Sequence, residues 1–566
     1  MPLLQNKREI AFEIIAVSLA FPLFFSCVER APESNGSAPM PSMEQTSFPK
    51  GEDNFKIVES DYFSREETPE APGEASQIKF GDAVEGMKPY PTLRLFAGGE
   101  QIPVYTVKVN SSRTWSKDAK GRSEDAVASF SLKGKATLKL QCAFNPKEDV
   151  TIRPLGRNVP WSVDSSRWVI SFTISTPGQY LIETRSRTLH LFVNPFKDIP
   201  AGATVFSPGL HSKENDPRIN SNDEIVLRNG DKIYLEEGAI LRAKIRANGA
   251  YNVSVEGPGF LDGSSFIRDV DKGIANVPID FQFCRNVKLE DFALLDPAGW
   301  AFNLYCSEKM SLKNVKVISS RSNGDGISVQ SCKDVDVSYS FVRSWDDSLV
   351  VKNYVDYKTG KEGETSSIHF SDCLLYTDLA QSMEIGYETI GEKMKDISFE
   401  NITVLHAFHK PVFSIHNGNN ADIRNVVYRD ITVEEASLGQ GDGDNTLFDF
   451  DVSHSPIWSD AHKITPLGSI SGVTCSNIKV LSGKENPRIK ISGSIEKRPQ
   501  YPNEEHRVTG VRFENVEICG EKLSASYPNM AISHADAPTF LEGEATGASY
   551  PSSDVSSFGS KLIRVK

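Results

Sequence analysis

A chain of 566 residues, 39% hydrophobic and 24% charged, has globular composition and is too long for one ordinary compact domain. Its formal net charge of −13 argues against a nucleic-acid partner, because phosphate binding takes clustered Lys and Arg. The same acidity disfavours a strongly anionic polymer unless a local patch offsets it.

The N-terminus has the layout of an export signal. Lys7 and Arg8 precede an apolar stretch from Ile14 to Phe25 that ends in Ser26-Cys27 and is too short to span a bilayer. A small residue and then Cys after such a stretch resembles a bacterial lipoprotein signal. That resemblance implies residues 1–27 as signal, lipidation at Cys27, and an outer-membrane or cell-surface location. A plain cleaved signal, giving a periplasmic or secreted chain, is the alternative. Membrane contact is expected only through the lipid. Residues 28–87 are rich in Pro, Ser, Glu and Gly and lack apolar periodicity, so they read as a disordered tether.

Residues 88–198 carry short alternating runs, among them TLRLFAG, IPVYTVKV, ATLKLQCAF and WVISFTI, separated by turn residues. This spacing predicts a β-sandwich. From 199 to 525 the chain repeats itself. One unit recurs: an apolar-x-apolar strand, often Asn or Asp, then another apolar strand. The second apolar position of each unit falls at Val255, Leu289, Leu312, Val337, Phe370, Phe399, Tyr428, Cys475 and Phe513, with spacings of 34, 23, 25, 33, 29, 29, 47 and 38. Such a period with strand content and no helical periodicity predicts a parallel β-helix whose longer coils carry loops. The expected fold is therefore all-β: a right-handed parallel β-helix preceded by a small β-sandwich, with 526–566 as a C-terminal extension.

Cysteines add little. Without Cys27 seven remain, none in a CxxC pair, so there is no sequence case for a disulfide framework, a zinc site or a redox motif. Cys284, Cys306, Cys332, Cys373, Cys475 and Cys519 lie in apolar runs and read as buried thiols. His406, His409 and His454 show no ligand spacing. No metal and no cofactor are expected.

The chemistry concentrates in Asn323-Gly324-Asp325-Gly326 and Trp345-Asp346-Asp347-Ser348. The pair follows Asp325 by 21 and 22 residues, close to the shortest coil, which predicts three carboxylates on adjacent coils of one face. Asp-Gly and Asp-Asp also occur in ordinary turns. Crowded like charges raise at least one pKa. A protonated carboxyl beside an ionised one is what glycosidic hydrolysis needs. Neighbouring strand residues point to opposite faces, so the chain must bend for Asp346 and Asp347 to share one.

The segment NGDGISVQ…DVDVSYSFVRSWDDSLVVK resembles the polygalacturonase-type glycosidases, glycoside hydrolase family 28, over roughly 205–520. The resemblance implies Asp346 as general acid, Asp325 and Asp347 as the base that activates water, and inversion of configuration. The order of sandwich and solenoid resembles glycoside hydrolase family 49, the dextranases and isopullulanases. Two departures bear on substrate. Where family 28 has Gly-His-Gly, this chain has Ala380–Gly386. Where the family has Arg-Ile-Lys, it has Ser414-Ile415-His416, a hydroxyl and an imidazole read as mostly neutral. A uronate would lack its usual partner there, so simple polygalacturonate is not the expected substrate. Asn323, Lys352, Gln381, Glu384, His416 and Trp300 are candidate sugar-binding residues, with Glu388 beside them. The partner expected is a polysaccharide or oligosaccharide. A polysaccharide lyase and a non-catalytic glycan-binding β-helix remain as alternatives.

Overall fold

In a computed structural model of the protein, residues 77–115, 122–147, 149–185, 187–454, 466–496 and 503–542 are described. The signal, Cys27 and residues 28–76 of the tether lie outside them. Among the described residues the secondary structure is β apart from one turn of 3-10 helix at Leu155–Arg157.

The first part is a pair of sheets. One has six strands, with Arg122–Lys133 paired to its neighbours Tyr105–Asn110 and Gln77–Lys79 antiparallel and to Thr188–Pro195 parallel. The other has five antiparallel strands around Ala136–Cys142. Alternation decides what they bury: Leu138 and Leu140 from one sheet and Ala126, Ala128 and Phe130 from the other meet in a shared core. Gln77–Lys79 falls in the stretch read as tether. Its three residues carry one apolar side chain and give no periodic signal.

The second part is a solenoid. Each full coil gives three short strands, for example Lys333–Ser338, Phe341–Ser344 and Leu349–Asn353. The first two join long parallel ladders that form one 21-stranded sheet, and the third joins an 11-stranded sheet. The nine repeat positions read from the sequence are stacked in register, from Val255 on Leu289 through to Cys475 on Phe513. The fold is a parallel β-helix preceded by a small sandwich of β-sheets. Its sheets run on past residue 525, where Met530–Ser533 and Thr539–Leu541 add further parallel strands.

The recurring Asn and Asp have a local reason. They sit at corners where φ is positive, as at Asn314, Asp372, Asn401, Asp430, Asn477 and Asn515, a conformation these short polar side chains tolerate. Stacked corners bond to one another: the Asn401 amide donates to Asp372 at 2.6 Å and the Asn477 amide to Asp430 at 2.9 Å. Inside, aromatic rings stack from coil to coil, with Phe370, Phe399 and Tyr428 at 4.9 and 5.1 Å. Cys284, Cys332, Cys373 and Cys475 fill this core as expected, but Cys306 is half-buried and Cys519 exposed. Both lie at positive-φ corners, where the side chain turns out of the core.

The sandwich packs on one flank of the solenoid. Tyr105, Val107, Val109, Val127 and Phe192 cover Phe260, Ile318 and Phe341. Buried charges cross the same seam. Arg343 of the solenoid reaches Asp125 of the sandwich at 2.6 Å and Asp378 at 3.0 Å, and Arg113 of the sandwich also pairs with Asp378. This docking brings sandwich residues up to the coil corners described next.

Candidate active site

Asp325 and Asp347 both lie two residues before a strand of the 11-stranded sheet, Ile327–Gln330 and Leu349–Asn353, and Ile327 pairs with Leu349. Extending that register puts Asp325 beside Asp347 on successive coils, about 4.8 Å apart along the axis. The backbone confirms it: Gly326 N–H donates to Asp347 O at 2.8 Å. Asp346 N–H reaches Gly324 O at 3.3 Å. The Asp-Asp pair occupies the corner between Phe341–Ser344 and Leu349–Asn353, where the chain bends. The bend expected from the sequence is thus a sheet-to-sheet corner.

Close approach explains the glycines. A Cβ on Gly326 would stand 2.4 Å from Ser348 O, and one on Gly324 would stand 2.6 Å from Arg321 O. Buried hydroxyls hold the corner. Ser344 Oγ donates to Asp346 O at 2.7 Å, and Ser344, Ser348, Thr377 and Ser382 form a chain of contacts at 2.7, 2.9 and 2.8 Å. Ser319 Oγ accepts from Trp345 N–H at 3.0 Å and donates to Gly324 O at 2.5 Å. A fully satisfied polar chain of this kind fixes geometry.

Asp325 and Asp347 are buried and Asp346 is half-buried. Burial lifts the Asp325 carboxyl to about 6, with Lys352 pulling it down and Glu388 pushing it up. Burial also raises Asp346 and Asp347 well above the carboxylate range. Asp325 adds repulsion at Asp346, and Asp346, Asp325 and Glu384 add it at Asp347. Lys352 Nζ stands 3.7 Å from Asp325 and 3.1 Å from Glu388. It favours the ionised form of Asp325, the member of the trio with which it pairs. Burial and mutual repulsion thus raise all three carboxyls, and Lys352 favours Asp325 as an ionised member.

The other sequence candidates divide. Trp300 sits one coil before Asp325 in the same register, half-buried, with the Lys352 ammonium 5.3 Å over its ring. Gln381 sits one coil after Asp347, and its backbone N–H donates to Asp347 Oδ1 at 3.2 Å. Asn323, at φ 55°, accepts from Arg268. Glu384 and His416 are different. Glu384 is fully buried, with Ser414 Oγ and His416 Nδ1 on its carboxylate, the latter at 2.8 Å.

The reading of His416 as neutral is corrected. Burial opposes its charged form, but Glu384 and Asp449 prevail and lift its pKa to about 10. The ring is an imidazolium stacked on Tyr387 at 4.2 Å, with Nδ1 on Glu384 and Nε2 3.3 Å from Asp449. Sequence offered no partner for it, because Asp449 lies 33 residues on and only coil stacking brings it near. Lys490 continues the row at 3.2 Å from both Asp449 and Asp451.

Like Lys490, a cation beside the trio escaped the sequence reading altogether. Arg268 lies in the excursion between Phe260–Asp262 and Ile279–Gln282. It donates to Ser322 O and Ile274 O at 2.9 Å each, and its charge acts on Asp325 and Asp346. No motif marks it. The loop 354–363 folds back along the sheet, where Tyr357 Oη donates to Gln282 at 2.7 Å and Lys358 bonds Asn248 at 2.7 Å.

Among the described residues no group of three His, Cys, Asp or Glu is arranged to hold a metal ion, and no helix is long and apolar enough to cross a membrane.

No curated protein matches the chain. Among solved structures, Dex49A from Penicillium minioluteum is similar at 12% identity and a TM-score of 0.48, covering 82% of this chain and 96% of that one. The family 28 exopolygalacturonase of Yersinia enterocolitica is similar at 12% identity and a TM-score of 0.42, covering 84% and 98%. Residues 218–374 match the sequence profile of glycosyl hydrolases family 28. The match spans all three aspartates and Lys352 and stops short of Gln381, Glu384 and His416. The chain is thus similar to family 28 through the segment that carries the carboxylate trio.

Proposed function

We propose that the protein is an exported glycoside hydrolase that cleaves O-glycosidic bonds of a polysaccharide with inversion. Asp346 gives its proton to the leaving oxygen, and Asp325 with Asp347 takes a proton from the attacking water. The observation that carries this reading is the stacking of Asp325 and Asp347 on successive coils with Asp346 beside them, braced by Lys352 and the buried serines. Export, with Cys27 as the lipid anchor, rests on the N-terminal sequence pattern.

The pH profile follows from the two roles. The base must be ionised; Asp325 holds its proton up to about 6 and Asp347 is also raised well above its ordinary value, so the rising limb of kcat/KM lies at about 6 or above. The acid must be protonated and Asp346 is raised well above its ordinary range, so kcat/KM falls again at higher pH. The expected curve between pH 4 and 9 is a bell. A flat profile from pH 4.5 to 8 contradicts the assignment.

A neutral glycan fits the surroundings better than polygalacturonate. His416 is charged, but its nitrogens face the Glu384 and Asp449 carboxylates, and Lys490 sits between Asp449 and Asp451. A bound uronate needs a cation or several donors to replace its lost hydration. We expect neutral glucans or galactans to release reducing ends faster than polygalacturonate at equal concentration and low salt. Efficient cleavage of polygalacturonate that declines as salt rises overturns this, and points to Arg268 as the cation.

A further inference from the structure

The sandwich sends a segment over the acid-bearing corner. After the strand Tyr105–Asn110 the chain leaves the sheet, and Ser112, Arg113 and Trp115 extend toward the solenoid. Arg113 pairs with Asp378, three residues before Gln381, and its guanidinium lies 3.8 Å over the Phe408 ring. The Trp115 backbone N–H donates to Asp442 at 3.1 Å, and His409 Nε2 holds the other side of that contact at 2.6 Å. The Trp115 ring stands 4.9 Å from Trp345, at 76°, and 5.9 Å from His409. Trp345 directly precedes Asp346.

These contacts fix a large aromatic ring against Trp345, the residue that precedes the acid, without burying it. Trp115 is 36% exposed, whereas Trp345 beneath it is 6% exposed. Trp115 belongs to neither core of the sandwich, so folding of the sandwich does not require it. An open indole held rigid by charged anchors offers an apolar face with little rotamer entropy left to lose on binding. Sugar rings present faces of C–H groups that pack on such a surface.

We propose that Trp115 is a sugar-stacking platform, a binding subsite adjacent to Asp346 that the sandwich contributes to the solenoid's cleft. Its ligand is a pyranose ring of the bound glycan. The proposal rests on the hydrolase reading above.

The test is steady-state kinetics of the native protein and of Trp115→Ala, Trp115→Leu and Trp115→Phe on the best oligosaccharide substrate. Trp115→Leu keeps apolar bulk over Trp345 but offers no ring, and serves if the alanine variant does not fold. Expected are a KM raised about tenfold in the alanine and leucine variants, with kcat and the pH profile unmoved, and recovery of most of the loss in Trp115→Phe. An unchanged KM overturns the platform. So does a fall in kcat with a displaced pH profile at constant KM, since that marks Trp115 as a buttress for the Asp346 corner. If native protein releases no reducing ends from any glycan, the hydrolase reading fails and takes the platform with it, and the native control identifies that route.

Discussion

Asp346→Asn lowers kcat by about 10³-fold on a substrate with a poor leaving group, because the leaving oxygen must then depart without a proton. The variant stays folded, and at pH 7 it melts above the native protein. The sign follows from the pKa. Asp346 is raised on folding, so the folded chain binds more protons than the unfolded one from about pH 4 upward, and stability falls as pH rises through that window. A neutral amide removes the penalty. The gain in melting temperature should shrink as pH falls and vanish only below about 3, where both states are protonated. Calorimetry against pH measures it alongside the kinetics. Near-native turnover, or a variant less stable than the native protein at pH 7, contradicts the role given to Asp346.

Asp378→Ala has the largest expected effect on stability. The Asp378 carboxylate is fully buried between Arg343 and Arg113, which are 4% and 14% exposed. Its loss leaves two guanidiniums close together, with Asp125 paired to Arg343 and not to Arg113. Removing one member of a buried ion network costs about 3–5 kcal/mol, most of it the uncompensated charge left behind. The urea midpoint should fall accordingly. Activity should fall too, because residue 378 leads into the turn that carries Gln381. A loss below about 1 kcal/mol would show that solvent reaches the network and screens it.

The parts legible in the sequence were those encoded locally or by a period. Every repeat position from Val255 to Phe513 is stacked as read, because inward apolar residues must recur once per coil. The trio was legible because the spacing from Asp325 to Asp346 matches one short coil. What escaped depends on distant contacts. Arg268 lies 57 residues before Asp325, and only the stacking of coils brings its loop to the site. Trp115 is on another domain. His416 looked neutral until Glu384 and Asp449 appeared on either side of the ring. The serine chain beneath Asp346 left one faint trace, Ser344 and Ser348 flanking Trp345-Asp346-Asp347, which reads equally well as ordinary turn chemistry. Strands Gln77–Lys79 and Thr539–Leu541 were too short to carry a pattern.

The central claim is that three carboxylates on adjacent coils hydrolyse a glycosidic bond with inversion. Proton NMR of the first products released from the best oligosaccharide, recorded before mutarotation, tests it most directly. The account predicts a saturated sugar whose new reducing end has the anomeric configuration opposite to that of the bond cleaved. A new reducing end of the same configuration, or an unsaturated sugar at the other end, would contradict it.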